Sequence, residues 1–326
     1  MRKLFTLLIG LLLLVSCDEN SKDDQVLLSN SSGNINNLSV IMGNEMWSGE
    51  VGEAVRKNLA APVDGLPQEE PLFSISQMPP EAFSGFARKN RTFLRIQKGE
   101  EAGIKVADDL YARPQKGFLI TGQTNEEIIN IIEENSARII RALKKTEIVE
   151  QQRRIRKSLK SDEKLEERLG VSMEFPTAYR YAKESDDFFW IRKDIPHGSM
   201  EILVYEVPIS TIQKDTNTIA NIIAMRDSIG KKYIPGPVEG SHMITEAAYA
   251  PYLFRSEIDG KFAWETKGTW EVDGAFMAGP FLNYAVMDEE NDRIVVLEGF
   301  TFAPSARKRD NMMELEAILR SADLVK

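Results

Sequence analysis

Residues 261–302 constrain the fold more than any other stretch. They read KFAWETKGTWEV, a short break, then AGPFLNYAVMDEENDRIVVLEGFTF. Apolar and polar side chains alternate through much of this run, and a period of two is the mark of a strand with one face buried. The run Asp288-Glu289-Glu290-Asn291-Asp292 supplies a turn. The stretch therefore predicts consecutive antiparallel strands. Phe262, Trp264, Trp270, Phe281, Tyr284, Val295, Leu297 and Phe300 provide the bulk to nucleate a core.

The remaining chain supplies helices to cover such sheets. Leu38 to Met42 predicts a strand, and Ser48 is placed to cap a helix carrying Val51, Val55 and Leu59. Further strands are expected at 71–77, 92–97, 103–107 and 118–120, with a short helix at 81–89. Thr124 and Glu127 spell a capping box, and Ile128, Ile132, Ile139 and Leu143 mark the apolar stripe of a long helix. The charged residues after Lys144, including Glu150, Arg153 and Arg154, are expected to face water or the second half of the molecule. Gly170 is placed to stop the helical region. Beyond it, 179–183 is expected to pair with 187–192, and 200–207 is a clear strand. Asp215 or Thr216 is placed to cap a helix bearing Ile219, Ile222, Ile223 and Ile229, closed by Gly230. Residues 231–252 are irregular, with a strand at 243–247. Ser305 is placed to cap a terminal helix with Met312, Leu315, Ile318 and Leu319. The run Arg307-Lys308-Arg309 opposes that helix's dipole, which is compatible with an ion pair to another element. The fold class is α+β, with antiparallel or mixed sheets flanked by helices, in two sheet-and-helix units at 38–169 and 170–326.

The N-terminus carries an export signature. Arg2 and Lys3 precede the apolar run from Leu4 to Leu14, which is too short to span a bilayer. Leu14-Val15-Ser16-Cys17 follows and resembles the lipobox of bacterial lipoproteins, which implies that residues 1–16 are removed and Cys17 is acylated, a palmitate among its chains. It is the single cysteine in the chain. If it carries lipid, no thiol is left for a disulfide, a metal or catalysis. The alternative is a plain secretory signal with a chance cysteine. Residues 17–37 are polar and are expected to act as a flexible tether. The chain is thus expected on the outer membrane, lipid-anchored, facing the periplasm or the cell surface.

Three segments carry a wider likeness. FAWETKGTWEV at 262–272, FMAGPF at 276–281 and VLEGFTFAP at 296–304 resemble signature segments of an uncharacterised lipoprotein family of Bacteroidota, carried as a domain of unknown function. Gly43-Asn44-Glu45-Met46-Trp47 and the polar tether also fit. The resemblance implies an exported, lipidated envelope protein and implies no activity.

Composition narrows the chemistry. The formal net charge is −9 over 326 residues, which argues against nucleic acid as a partner. There are two histidines, His197 and His242, so no multi-histidine metal centre is expected, and no cofactor. No Gly-x-Ser-x-Gly occurs. Ser241-His242 is the nearest arrangement, with Glu239 or Glu246 to orient the ring, but adjacent side chains rarely form such a pair. Glu265, Glu271 and Glu298 fall on adjacent expected strands, and a carboxyl pair about 5–10 Å apart is what glycosidic cleavage needs. Glu265 and Glu271 are expected to meet across a hairpin, with Trp264 or Trp270 as a sugar platform. Tyr249, Tyr252 and Trp270 are the ligand-binding candidates, with Trp270 the more exposed of the tryptophans in this stretch. The chain reads as an envelope binding or assembly module, its partners the membrane and an envelope protein or glycan. The competing reading is a carboxylate-dependent hydrolase of an envelope polymer. Oligomeric state is not legible.

Overall fold

The computed structural model describes residues 28–325, so the export signal and Cys17 lie outside the described residues. It has an α+β architecture built on two principal sheets. The first takes β1 (Asn37–Ile41), β2 (Ser74–Met78), β3 (Thr92–Lys98), β4 (Gly103–Asp108) and β5 (Lys116–Gly122) in the order β2-β1-β3-β5-β4. β1 runs parallel to both β2 and β3, β3 runs parallel to β5, and only β4 is antiparallel. The short helix α1 (Asn44–Ser48) leads into α2 (Glu50–Leu59), and α3 (Asn125–Ile155) follows β5.

α2 and α3 cover one face of this sheet. Val51, Val55 and Leu59 meet Leu38, Val40, Phe118 and the Ile128–Ile132–Ile139–Leu143 stripe, all fully buried. Each such side chain contributes about 1.5–3 kcal/mol of transfer free energy. Phe83 and Tyr111 close over Ile41 and Phe93 on the other face. The expected helix at 81–89 is instead two 3-10 turns, Pro80–Ala82 and Gly85–Lys89. The capping box of α3 forms as read, with Thr124 accepting from the Glu127 amide and Glu127 reaching back. The cap of α2 does not. Its N-cap is Gly49, and the Ser48 hydroxyl donates back to the Asn44 carbonyl. Residues 30–36, expected within the tether, are bonded into the fold. Asn30 and Ser32 bridge to Arg113 and Asn90, and Asn36 is buried.

The second sheet is antiparallel throughout. β7 (Arg180–Glu184), β8 (Phe188–Ile195), β9 (Gly198–Pro208), β10 (Met243–Thr245), β12 (Lys261–Val272), β13 (Ala275–Asp288) and β14 (Arg293–Phe302) are ordered β10-β12-β13-β14-β9-β8-β7, with β11 (Tyr252–Ile258) also on β12. The alternating stretch is therefore the meander expected, turned at Glu289–Asn291. β6 (Val171–Ser172) and β15 (Asp323–Leu324) form a small separate ladder.

Both faces of the large sheet are covered. α4 (Glu163–Leu169), the end of α3 and α7 (Arg309–Leu319) lie on one; α6 (Thr218–Tyr233), preceded by the single turn α5 (Ser210–Gln213), lies on the other. Gly170 ends α4 in the left-handed conformation, φ 60°. α6 is capped by Asn217 rather than Asp215 or Thr216. Gly230 does not close it. The helix runs on to Tyr233, and Gly230 is needed because a Cβ there would lie 2.0 Å from the Met243 carbonyl oxygen.

α7 joins the two sheets. Its N-terminal amides are capped from the other unit: the Glu70 carboxylate accepts from Lys308 N at 2.6 Å and Arg309 N at 3.2 Å. Ser305 plays no such part, since the N-cap position is Lys308. A carboxylate at this end complements the helix dipole and offsets the basic run. Arg309 also donates to the Pro71 carbonyl and the Ser74 hydroxyl, and pairs with Asp310.

Candidate ligand cavity and ionic cleft

The register of the large sheet assembles an aromatic cavity on the α6 side. The β8–β9 hairpin pairs Ile195 with Gly198, which sets Arg192 opposite Glu201, and β9 then sets Glu201 opposite Phe300 of β14. Directly opposed residues share a face. Trp270, from β12, packs on Phe300 with ring centroids 5.4 Å apart and on Phe302 at 6.3 Å. These residues, Trp190, Met277 and the loop at 234–237 enclose about 430 Å³. His197 and Ser199 complete the polar lining. Pro235 and His242 bridge, and the Ser241 hydroxyl bonds Val238, so this loop is held in place.

Glu201 is the one carboxyl in the lining. It is 3% exposed and accepts a 2.7 Å hydrogen bond from the Trp190 indole. Arg192 stands 3.7 Å away but is engaged more closely by the exposed Asp194, at 2.9 Å. Burial pushes Glu201 up to about 6, against the pull of Ser199, Trp190 and Arg192. Because the folded pKa lies above the ordinary 4.5, the associated stability is full below 4.5 and is lost as pH rises through 6. The loss is about 2 kcal/mol at 1.36 kcal/mol per unit. Glu201→Gln removes it. Urea unfolding is expected to show the variant more stable than the parent above the titration window by up to about that amount, and not below it. Equal differences at both ends would contradict the assignment.

The sequence candidates fall in different places. Trp270 is not exposed: it is 3% accessible, walls the cavity, and its indole N–H has no acceptor among the described residues. Phe262, expected in the core, is 41% exposed. Tyr249 and Tyr252 are exposed, and Tyr252 stacks on Phe254 outside the cavity. His242 is half-buried with its Nδ1 3.3 Å from the Gly240 carbonyl, while the Ser241 hydroxyl is committed to Val238. Glu265 and Glu271 share strand β12 rather than facing across a hairpin, and six residues of strand place them about 20 Å apart. Glu265 sits opposite Tyr284, which sits opposite Leu297; Glu298 sits opposite Asn283, which sits opposite Thr266. Glu265 and Glu298 thus occupy opposite faces of one sheet. No two of the three can flank one glycosidic bond.

Each of the two buried candidates belongs to an ionic network. Glu298 is clamped by Arg226 beneath α6. Glu265 lies in a cleft between α3 and the large sheet, of about 560 Å³. Lys267 contacts it at 2.6 Å and Arg320 at 3.0 Å, and Arg320 also holds Glu316 at 2.9 Å. Burial raises the cost of charging Glu316, but Lys267, Arg320 and Lys144 outweigh it and bring its pKa to about 2. Burial likewise pulls Lys267 down, and Glu316 and Glu265 hold it above the ordinary lysine value. Among the described residues no group of histidine, cysteine, aspartate or glutamate is arranged to hold a metal, and no helix is long and apolar enough to cross a membrane. Sequence reading missed Trp190, Arg192, Glu201 and Phe302 in the cavity, and Lys144, Lys267 and Arg320 in the cleft.

Comparison with known families decides the classification. The family model described as "Domain of unknown function (DUF4837)" matches residues 158–321, just over half of the chain. The chain belongs to this family. Its matched region contains the whole large sheet and the aromatic cavity. A second model, "Domain of unknown function (DUF8532)", matches residues 31–156, which hold the first sheet and α3. No curated protein matches. Among solved structures, the chain is similar to the cyanobacterial PsbP of Synechocystis sp. PCC 6803, at 10% identity and TM-score 0.34, covering 51% of this chain and 92% of that one. It is similar to LpqN of Mycobacterium tuberculosis, described as involved in cell envelope biogenesis, at 13% identity and TM-score 0.31, covering 48% and 83%. It is similar to the Ran-binding protein Mog1p of Saccharomyces cerevisiae, at 10% identity and TM-score 0.31, covering 48% and 91%. At these scores the likenesses assign no function.

Proposed function

We propose that this protein is a lipid-anchored binding module of the bacterial cell envelope, and that the cavity between Trp190, Trp270 and Phe300 takes a sugar residue of an envelope glycan. One observation carries the reading: the cavity has aromatic walls and a single carboxyl. Aromatic faces pack against the C–H face of a pyranose. Glu201, Arg192 and Ser199 offer the few polar groups that orient a ligand in a mostly apolar pocket. Hydrolysis by the two-carboxyl route would need a second acid in the lining, and Asp194, which shares Arg192 with Glu201, is exposed and bound to Arg180 and Arg192. The anchor rests on Cys17 and its lipobox-like context.

Titration of soluble envelope glycan fragments into the mature chain, followed by tryptophan emission, tests the site. Saturable binding is expected, weakened at least tenfold by Trp190→Ala, with no change in the fragments' chain length. Absence of binding would defeat the reading, and fragment cleavage that disappears in Glu201→Gln would replace it with the hydrolase. Labelling of cells with a palmitate analogue tests the anchor. The label and membrane association are both expected to vanish in Cys17→Ala.

A further inference from the structure

The cleft between α3 and the large sheet has unequal walls. On the sheet side each cation is answered: Lys267 by Glu265, and Arg320 by Glu265 and Glu316. On the helix side, Arg141, Lys144 and Lys145 line the same cleft, and none of the three makes an ion pair or hydrogen bond among the described residues. Positions 141, 144 and 145 are one helical turn apart and share a side of α3. One turn further on, Ile148 and Val149 continue the wall, with Val149 44% exposed.

We propose that this cleft is an oxyanion site, in which Arg141, Lys144 and Lys145 hold a phosphate or carboxylate group and Ile148 and Val149 take the adjoining carbon. Three cations without a direct ion pair line it, and with Lys267 and Arg320 the cations of the lining outnumber its carboxylates in a protein whose net charge is −9. Glu257 and Asp259 also line the cleft, so its five cations face four carboxylates. Both Glu265 oxygens are bonded, one to Lys267 and one to Arg320, and Glu316 is held by Arg320 and Tyr284. Lys144 is the innermost of the three. Burial lowers its pKa and Lys267 lowers it further, while Glu316, Glu265 and Asp64 only partly offset this. A lysine in that condition gains from an incoming anion. The site is separate from the aromatic cavity and does not depend on the glycan reading.

Calorimetric titration of the full mature chain with inorganic phosphate and with succinate tests the proposal, beside flotation on vesicles with and without phosphatidylglycerol. Saturable binding is expected to weaken at least tenfold in Lys144→Met and to persist in Lys144→Arg. Binding of the free anions alone assigns a soluble ligand; Lys144-dependent binding of anionic vesicles alone assigns a lipid headgroup. Lys144→Met is expected to melt no lower than the parent in the absence of anion, because it removes a desolvated charge, and this separates lost binding from lost folding. Arg141→Gln, on the exposed rim, reports on the same site without touching its interior. Binding of neither free anion nor vesicle, or parental binding by Lys144→Met, would overturn the proposal.

Discussion

Arg91→Met is expected to destabilise the protein by about 3–5 kcal/mol, the cost of stranding one member of a buried ion pair. Arg91 is 2% exposed and Glu147 fully buried. The guanidinium donates to both carboxylate oxygens, from Nε at 3.0 Å and from Nη2 at 2.9 Å. Nη2 also donates to the Asn34 carbonyl at 2.8 Å, and Glu147 accepts from the Asn36 amide at 3.0 Å. The pair therefore holds residues 34–36 against α3. Burial pushes the Glu147 carboxyl above its ordinary value, and Arg91 pulls it back. Without Arg91 the folded pKa rises further. A raised carboxyl contributes stability that is full below the unfolded value and lost as pH rises through the folded one, so the variant's deficit grows with pH. Denaturant unfolding across the acid-to-neutral range checks this. Arg91→Met combined with Glu147→Leu is expected to recover most of the loss, since Glu150, the other buried carboxylate beside Arg91, keeps Arg153 and Arg154 at 2.7 Å. A deficit that ignores pH and survives the double replacement would show that Arg91 acts by packing alone.

The same residues show what a sequence conveys and what it withholds. The period-two run at 261–302 became β12, β13 and β14 because alternation is a local property, satisfied by any sheet with distinct faces. Thr124 and Glu127 fixed the start of α3 for the same reason, their bonds spanning a single turn. Glu147, Arg226 and Glu298 look like any solvated charge until a partner is known, and their partners lie 56 and 72 positions away. Glu70 caps a helix 238 positions downstream, which no local pattern announces. Trp270 flanks a turn, where a local pattern implies exposure, yet Phe300 and Phe302, two strands over, bury it. Part of the cavity was nonetheless readable. Folding the chain about Pro196-His197 pairs Ile195 with Gly198 and thereby brings Arg192 to Glu201. What that step could not supply was the third strand: β14 adds Phe300 opposite Glu201 across about a hundred residues of intervening chain.

Glu298→Ala is expected to destabilise by about 3–5 kcal/mol as well, and the way it fails separates a structural carboxylate from a catalytic one. Glu298 and Arg226 are each 1% exposed. Arg226 donates from Nε at 2.8 Å and from Nη2 at 2.6 Å, and Asn283 adds a third bond at 2.9 Å. The guanidinium lies over the Phe281 ring at 3.5 Å and reaches Thr245 with its remaining nitrogen. A carboxylate with this many fixed donors, covered by α6, has no route to a substrate. Deleting it leaves a guanidinium buried against an aromatic ring, and arginine cannot shed its charge. The loss should therefore be nearly independent of pH above the carboxylate range, unlike that of Arg91→Met, where the stranded partner can take up a proton. Even Glu298→Gln, which keeps the shape, should lose stability, because the amide cannot neutralise Arg226. Arg226→Met combined with Glu298→Leu should restore much of it. Calorimetric melting of the variants measures each of these. A catalytic glutamate behaves the other way: its glutamine variant folds normally and loses turnover. A Glu298→Gln protein with parental melting behaviour would return this residue to the list of candidate acids and reopen the hydrolase reading.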